Sequence, residues 1–217
     1  MALPSPTPSG GVILLHGMGR TGISMRAIAV AMRRAGIPTL SPWYGLRRSM
    51  PEIITWLQPR IADFVTANPG PIHIVTHSLG GLVARAYITA HRPASLGRVV
   101  MLAPPNAGSE IADLVFSLGL DNLIFGPVGP HLRTSRPATH ETQLGRVDFD
   151  LGTIAGNRPL DPIIAPLFFA VPNDGKVSVE STRIAGMADH IVLPVQHSFM
   201  VQDAAVIAQI HAYLATG

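Results

Sequence analysis

The sequence predicts an α/β protein: an open, mostly parallel sheet of about six strands with helices on both faces. Two observations carry this. Short apolar runs alternate with helical patterns of roughly 10–17 residues, as strands joined by crossover helices do. The composition agrees: 47% of the 217 residues are apolar, 13% are charged, and 21 Gly and 20 Pro punctuate the chain at short intervals. Such a chain buries a sizeable core, which excludes disorder as a description of the whole.

Residues 1–10 read as a flexible arm, and 11–217 as a single domain. The start MALPSPTPSGG has no basic stretch followed by an apolar one. No signal peptide is read, so a cytoplasmic location is expected, although a trimmed secreted form would look the same. Gly11–Leu15 (GVILL) is the first strand and runs into the Gly-rich loop HGMGRTG. Met25, Ile28, Ala29 and Met32 then recur at helical spacing and stop at Gly36. Pro38–Tyr44 gives a second strand. Ser49 and Glu52 form a capping-box pattern before Ile53, Ile54, Leu57, Ile61, Phe64 and Val65, and Pro59 within that helix predicts a kink or two pieces.

Pro71–Thr76 is the third strand. HSLGG follows it and opens a helix carrying Leu82, Val83, Ala86, Tyr87 and Ala90. Arg98–Leu102 is the fourth strand, followed by APPNAGS, a helix from Ser109 to about Leu118, and an irregular stretch to about Asp150. Leu151–Gly156 and His190–Val195 are two more strands, and Val201–Leu214 is an amphipathic helix. No apolar run is long enough to span a bilayer.

Charge and cysteine usage exclude several function classes. The net charge is +3, carried by Arg except for one lysine, Lys176. Arg33–Arg34 and Arg47–Arg48 are the only adjacent basic pairs, and no basic stripe is interleaved with aromatics, so nucleic acid is not an expected partner. The absence of Cys removes disulfides, thiolate metal sites and a Cys nucleophile. No metal-ligand spacing appears; Asp189 and His190 are adjacent on a strand and face opposite sides.

Ligands of open α/β sheets bind at the carboxyl ends of the strands. HGMGR, THSLGG, PPNAGS and the loop after Val195 lie there. Thr76-His77-Ser78-Leu79-Gly80 joins a buried strand to a helix in a sharp turn. A Ser at such a turn sits in strained geometry, and its neighbours two residues away must be small, which is the physical content of G-x-S-x-G. Gly80 meets that need; Thr76 stands where the motif has its first Gly. A Ser at a strand–helix junction is also an ordinary N-cap. The Met18 N–H, with the Leu79 N–H at the helix start, could form an oxyanion hole.

A Ser nucleophile needs a base and an orienting acid. Of the His residues after Ser78, His91 and His211 lie in helices, His131 and His140 in the Pro-rich stretch, and His190 at the start of the last strand. His197, just past that strand, lies at the edge where Ser78 lies. For the acid, Asp174 sits in the turn Pro172-Asn173-Asp174-Gly175, ahead of an apparent short helix (VSVEST). Asp161 and Asp189 compete with it.

HGMGR, THSLGG, PPNAGS, NDGKVSVEST and QHSF, in this order, resemble the α/β-hydrolase superfamily, and most of all its compact bacterial lipase/esterase branch. The resemblance covers about residues 11–214. It implies a minimal α/β-hydrolase with no full cap domain. It also implies Ser78 as nucleophile, His197 as base, Asp174 as acid, and Met18 and Leu79 as oxyanion donors. The expected activity is hydrolysis of small-molecule esters or lipids through an acyl-enzyme, with no cofactor. An amidase, thioesterase or acyltransferase using the same triad is the enzymatic alternative; a non-catalytic hydrolase-fold binding module is the other. Residues 109–150 are read as a short flap over Ser78 or as a helix packed on the sheet edge.

Overall fold

Six strands form one sheet: β1 (Gly11–Leu15), β2 (Thr39–Leu40), β3 (Ile72–His77), β4 (Leu96–Leu102), β5 (Leu151–Gly156) and β6 (Asp189–Leu193). Their order is β2-β1-β3-β4-β5-β6, and every paired neighbour is parallel. This is the architecture of a computed structural model that describes residues 10–45, 47–159 and 171–216. Residues 1–9 of the expected arm and Asp161 therefore lie outside the described residues, whereas Gly10 is buried and donates its N–H to Pro69 O at 3.2 Å.

The strands are apolar on both faces because both faces are covered. Ile13, Leu15, Ile74, Val99 and Met101 pack with Ile53, Leu57, Leu82 and Val83 of α2 (Met50–Ala67) and α3 (Leu79–His91). Val12, Leu14, Val75, Val100 and Leu102 point the other way. They meet Ile28, Met32, Val206 and Ile210 of α1 (Arg26–Arg34) and α7 (Ala204–Thr216). The period-2 alternation of side chains along β1 and β4 thus divides one sheet between two cores.

The chain begins one strand in from the edge of the sheet, moves out to β2 at that edge, then returns to β3 on the other side of β1. That reversal is a topological switch point, where the loops after β1 and β3 diverge and leave a crevice at their carboxyl ends. The loop carrying His16–Arg20 and the turn at Ser78 follow those two strands.

Several elements differ from their sequence-based bounds. Only Thr39 and Leu40 pair in the second strand, because Pro42 has no N–H to continue the ladder. The last strand ends at Leu193, one residue before Pro194, for the same reason. Helix α2 runs unbroken through Pro59; Ile53, Ile54, Leu57 and Ile61 anchor it to the core on both sides of the proline. Its start follows the sequence pattern, with the Glu52 carboxylate accepting from the Ser49 N–H at 2.7 Å. The helix expected from Ser109 to about Leu118 is α4 (Glu110–Ser117), and the stretch after it that was read as irregular contains α5 (Asp121–Ile124), a 3₁₀ segment at Gly126–Leu132 and α6 (Ala138–Leu144). Gly119, Gly126, Pro127, Pro130 and Pro137 cut these into pieces too short to show a period. No helix among the described residues is long and apolar enough to cross a membrane.

Candidate active site

Ser78 lies between the last residue of β3 and the first of α3, with φ 54° and ψ −124°. Only Ser78 and Ala103 combine a side chain with positive φ among the described residues. Such backbone costs roughly 1–3 kcal/mol and persists only where the surroundings over-determine it. Here the Ser78 N–H donates to Leu102 O at 2.8 Å, and its carbonyl accepts the Gly81 N–H at 2.9 Å.

The small residues of the turn have defined tasks. A Cβ on Gly80 would stand 2.3 Å from Leu15 O, so α3 starts hard against the backbone of β1. The crowding that Gly80 relieves is with β1 rather than with residue 76, which explains why Thr76 fits. A Cβ on Gly81 would lie 2.8 Å from Pro104 Cβ and 3.5 Å from Thr76 Oγ1.

The loop after β1 comes equally close. A Cβ on Gly17 would stand 3.0 Å from Ser78 Cβ and 3.0 Å from His77 Nδ1. Two buried aromatic rings hold this loop. His16 stacks on Tyr44 with ring centroids 4.0 Å apart. Tyr44 donates its hydroxyl to His16 O, and its N–H to His16 Nε2 at 3.3 Å. His16 Nδ1 donates to Gly17 O at 3.0 Å. Burial lowers the pKa of His16, in keeping with this neutral tautomer. Met18 follows directly and shares a cavity lining with Ser78. The Leu79 N–H opens α3 and so has no acceptor within the helix.

Asp174 and His197, distant in sequence, are in contact. His197 Nδ1 donates to Asp174 Oδ2 at 2.7 Å, with both side chains buried. Asp174 Oδ1 accepts the N–H groups of Lys176 at 3.0 Å and Val177 at 2.8 Å. Both carboxylate oxygens are therefore engaged, and the His197 proton is held on Nδ1, leaving Nε2 as a lone-pair donor. The turn is built as an Asx turn: Asn173 Oδ1 accepts the Gly175 N–H at 2.9 Å, and Gly175 has φ 97°. The His197 N–H donates back to Asp174 O at 3.0 Å, tying the two loops together.

His197, Ser78 and Met18 line one cavity of about 340 Å³. Its walls include Ile111, Val115, Ile124 and Phe125 from the 109–150 segment. The competing residues among those described lie elsewhere. Asp189 opens β6 and is exposed, and His190 Nε2 is engaged by Thr182 Oγ1 at 2.8 Å. His131 stacks on His140, and His91 and His211 belong to α3 and α7. Among the described residues no cluster of His and carboxylates could hold a metal ion.

Some residues around the site carried no sequence signal. His77 Nε2 donates to the backbone carbonyl of His197 at 2.9 Å, and the two rings tilt against each other at 4.8 Å. Burial first, and the neighbouring His197 second, push the His77 pKa well below its ordinary value, so the ring is neutral. The start of α4 clasps the acid loop: Ser109 Oγ donates to Lys176 O at 2.9 Å, and Ser178 Oγ donates to Glu110 Oε1 at 3.0 Å. These contacts join residues about 70 apart, which no local pattern records.

Comparison with known proteins bears on the fold. The serine hydrolase family model matches residues 42–117, the segment that contains β3, Ser78, α3 and β4. No curated protein sequence matches the chain. Among solved structures, the propeptide form of the Bacillus licheniformis lipase BlEst2 superposes with TM-score 0.81 at 16% identity, over 99% of this chain and 52% of that one. The chain thus spans about half the length of that form, and 96% of the mature form, where the TM-score is 0.74. A metagenomic carboxyl esterase, MGS0156, gives 0.72 at 17% identity, over 90% of this chain and 67% of that one. Phospholipase PlaB from Legionella pneumophila gives 0.69 at 17% identity, over 96% and 58%. With nearly the whole chain superposed on these structures at 16–17% identity, and the serine hydrolase match spanning the Ser78 turn, the chain has the α/β-hydrolase fold.

Proposed function

We propose that the protein hydrolyses carboxylic esters through an acyl-enzyme formed on Ser78. The observation that carries this reading is that His197, hydrogen-bonded to Asp174, lines the same cavity as the strained Ser78. Ser78 Oγ attacks the ester carbonyl while His197 Nε2 takes its proton. Asp174 holds the proton on Nδ1 and stabilises the imidazolium. The negative charge on the tetrahedral oxygen is met by the Met18 and Leu79 N–H groups. His197 then protonates the departing alcohol, and the acyl–oxygen bond breaks. Water, deprotonated by His197, releases the acid and restores Ser78.

The segment 109–150 acts as an acyl wall and short flap. Its residues Ile111, Val115, Ile124 and Phe125 line the cavity beside Ser78. A volume of about 340 Å³ is at the small end of ligand sites, which favours short and medium acyl chains. The lipase and carboxyl esterase among the structural neighbours agree with an ester substrate.

A series of p-nitrophenyl esters of increasing acyl length tests this, together with labelling by a fluorophosphonate. Labelling at Ser78 with turnover falling beyond medium chains is the expected result. Failure to label the folded protein would turn the reading towards a binding module. A sharp rise in rate above the solubility limit of a triglyceride would make 109–150 a true interfacial lid.

A further inference from the structure

Ester cleavage yields two halves, and two cavities meet at His197. The smaller one holds Ser78 and is walled by apolar side chains of α4 and α5. The larger is an open cleft of about 970 Å³ that His197 also lines, and Ser78 does not border it. Arg20, Gly175, Lys176 and His197 line both. The larger cleft adds Arg26, so three cations face it. Its one carboxylate, Asp174, has both oxygens engaged by His197, Lys176 N–H and Val177 N–H. Neither Arg20 nor Lys176 makes an ion pair among the described residues.

We propose that Arg20 and Lys176 form an anion subsite for the leaving half of the substrate, so that the preferred esters carry a phosphate or carboxylate on their alcohol. The inference rests on the ester-hydrolase reading above. In that reading His197 delivers its proton to the departing alkoxide, so the alcohol leaves on the His197 side, where the cations stand. The acyl chain takes the apolar side. Arg20 and Lys176 repel each other, the Asp174 carboxylate offsets only part of this at Lys176, and an anion between the two cations removes the remaining cost. The state of Lys176 agrees: burial first, and the Arg20 charge second, lower its pKa from the ordinary value. Lys176 is the only lysine of the chain, and it is carried by the turn that presents Asp174. Arg20 lies in the loop after β1 that carries Met18. Both cations are thus fixed to elements of the site itself.

The test uses phenyl butyrates that differ only in the para group: carboxamidomethyl, carboxymethyl or phosphonomethyl. The methylene insulates the ester, so intrinsic reactivity stays matched. The expected result is a kcat/KM at least about tenfold higher for the anionic esters, expressed mainly in KM and reduced by added salt. The ratio of anionic to neutral ester should collapse towards one in Lys176→Met and Arg20→Gln, with circular dichroism confirming the fold. The carboxylate and phosphonate arms rank the two chemistries. A ratio near one in the unmodified protein, or a preference that survives both substitutions, overturns the proposal. If none of the esters is cleaved, the hydrolase reading fails separately. Calorimetric titration of Ser78→Ala with phenylphosphonate then decides the subsite: binding lost in Ser78→Ala/Lys176→Met supports it, and no binding overturns it.

Discussion

Ser78 sits between β3 and α3 at the centre of the sheet, whereas Asp174 and His197 sit on loops flanking β6 at its edge. The first is positioned by backbone: a positive φ, a hydrogen bond to Leu102 O, and glycines that admit β1 and the His16–Met18 loop. The second pair is positioned by side-chain hydrogen bonds, with Asn173, Asp174, His77 and Ser109 all contributing. The difference teaches where each half should be vulnerable. Steric change should damage the Ser78 turn, an elbow between β3 and α3, and loss of a charge or a proton donor should damage the Asp174–His197 side.

The largest effect is expected at the elbow's one reactive atom. Ser78→Ala should lower kcat for a soluble ester by about 10⁴-fold or more while circular dichroism stays unchanged. Unchanged turnover would remove Ser78 from the mechanism. On the other side, Asp174→Asn keeps the shape but removes the charge that orients His197, at a cost of up to about 10⁴ in kcat. Asp161→Asn, outside the described residues, is the control and should cost less than about tenfold. If Asp161→Asn is the crippled variant, the acid role moves to Asp161.

A steric probe separates the halves further. Gly80→Ala brings a Cβ to within 2.3 Å of Leu15 O, so α3 or β1 must shift. A loss of about 1–3 kcal/mol in urea unfolding is expected. Wild-type stability in that variant would mean the elbow has more slack than its geometry allows.

The smallest effect is a pH dependence of stability. Burial lowers the folded-state pKa of both His16 and His77. The unfolded chain therefore binds protons first, and stability falls as pH drops below about 6.5, by up to about 1.4 kcal/mol per pH unit and group until the folded values are passed. Urea midpoints at pH 7.5 and 5.5 measure this. His77→Asn should flatten the dependence by about 1 kcal/mol over that interval; an unaltered slope would mean that His77 is not buried in neutral form.

The inner strands β1 and β5 were legible because each is a short apolar run near Gly, and burial on both faces leaves no polar alternation to confuse them; the half-exposed edge strands β2 and β6 were read with looser bounds. Ser78, Gly80 and the HGMG loop were legible for a related reason: a strained turn admits few residue types, so geometry is written into identity. Asp174 was less so, since N-D-G serves any turn, and Asp161 and Asp189 fitted the local pattern as well.

By itself, then, the sequence determined the alternation of strand and helix, the two-faced core and the chemistry available at the strand ends. Only the tertiary structure decided which acid meets which histidine, because the Asp174–His197 bond joins residues 23 apart across β6. It likewise decided that Tyr44 holds the His16 loop, that His77 braces the His197 backbone, and that Arg20 and Lys176 face one cleft. These contacts arise where loops from different strands converge at one edge of the sheet. Such convergence is fixed by strand order, which local spacing does not encode.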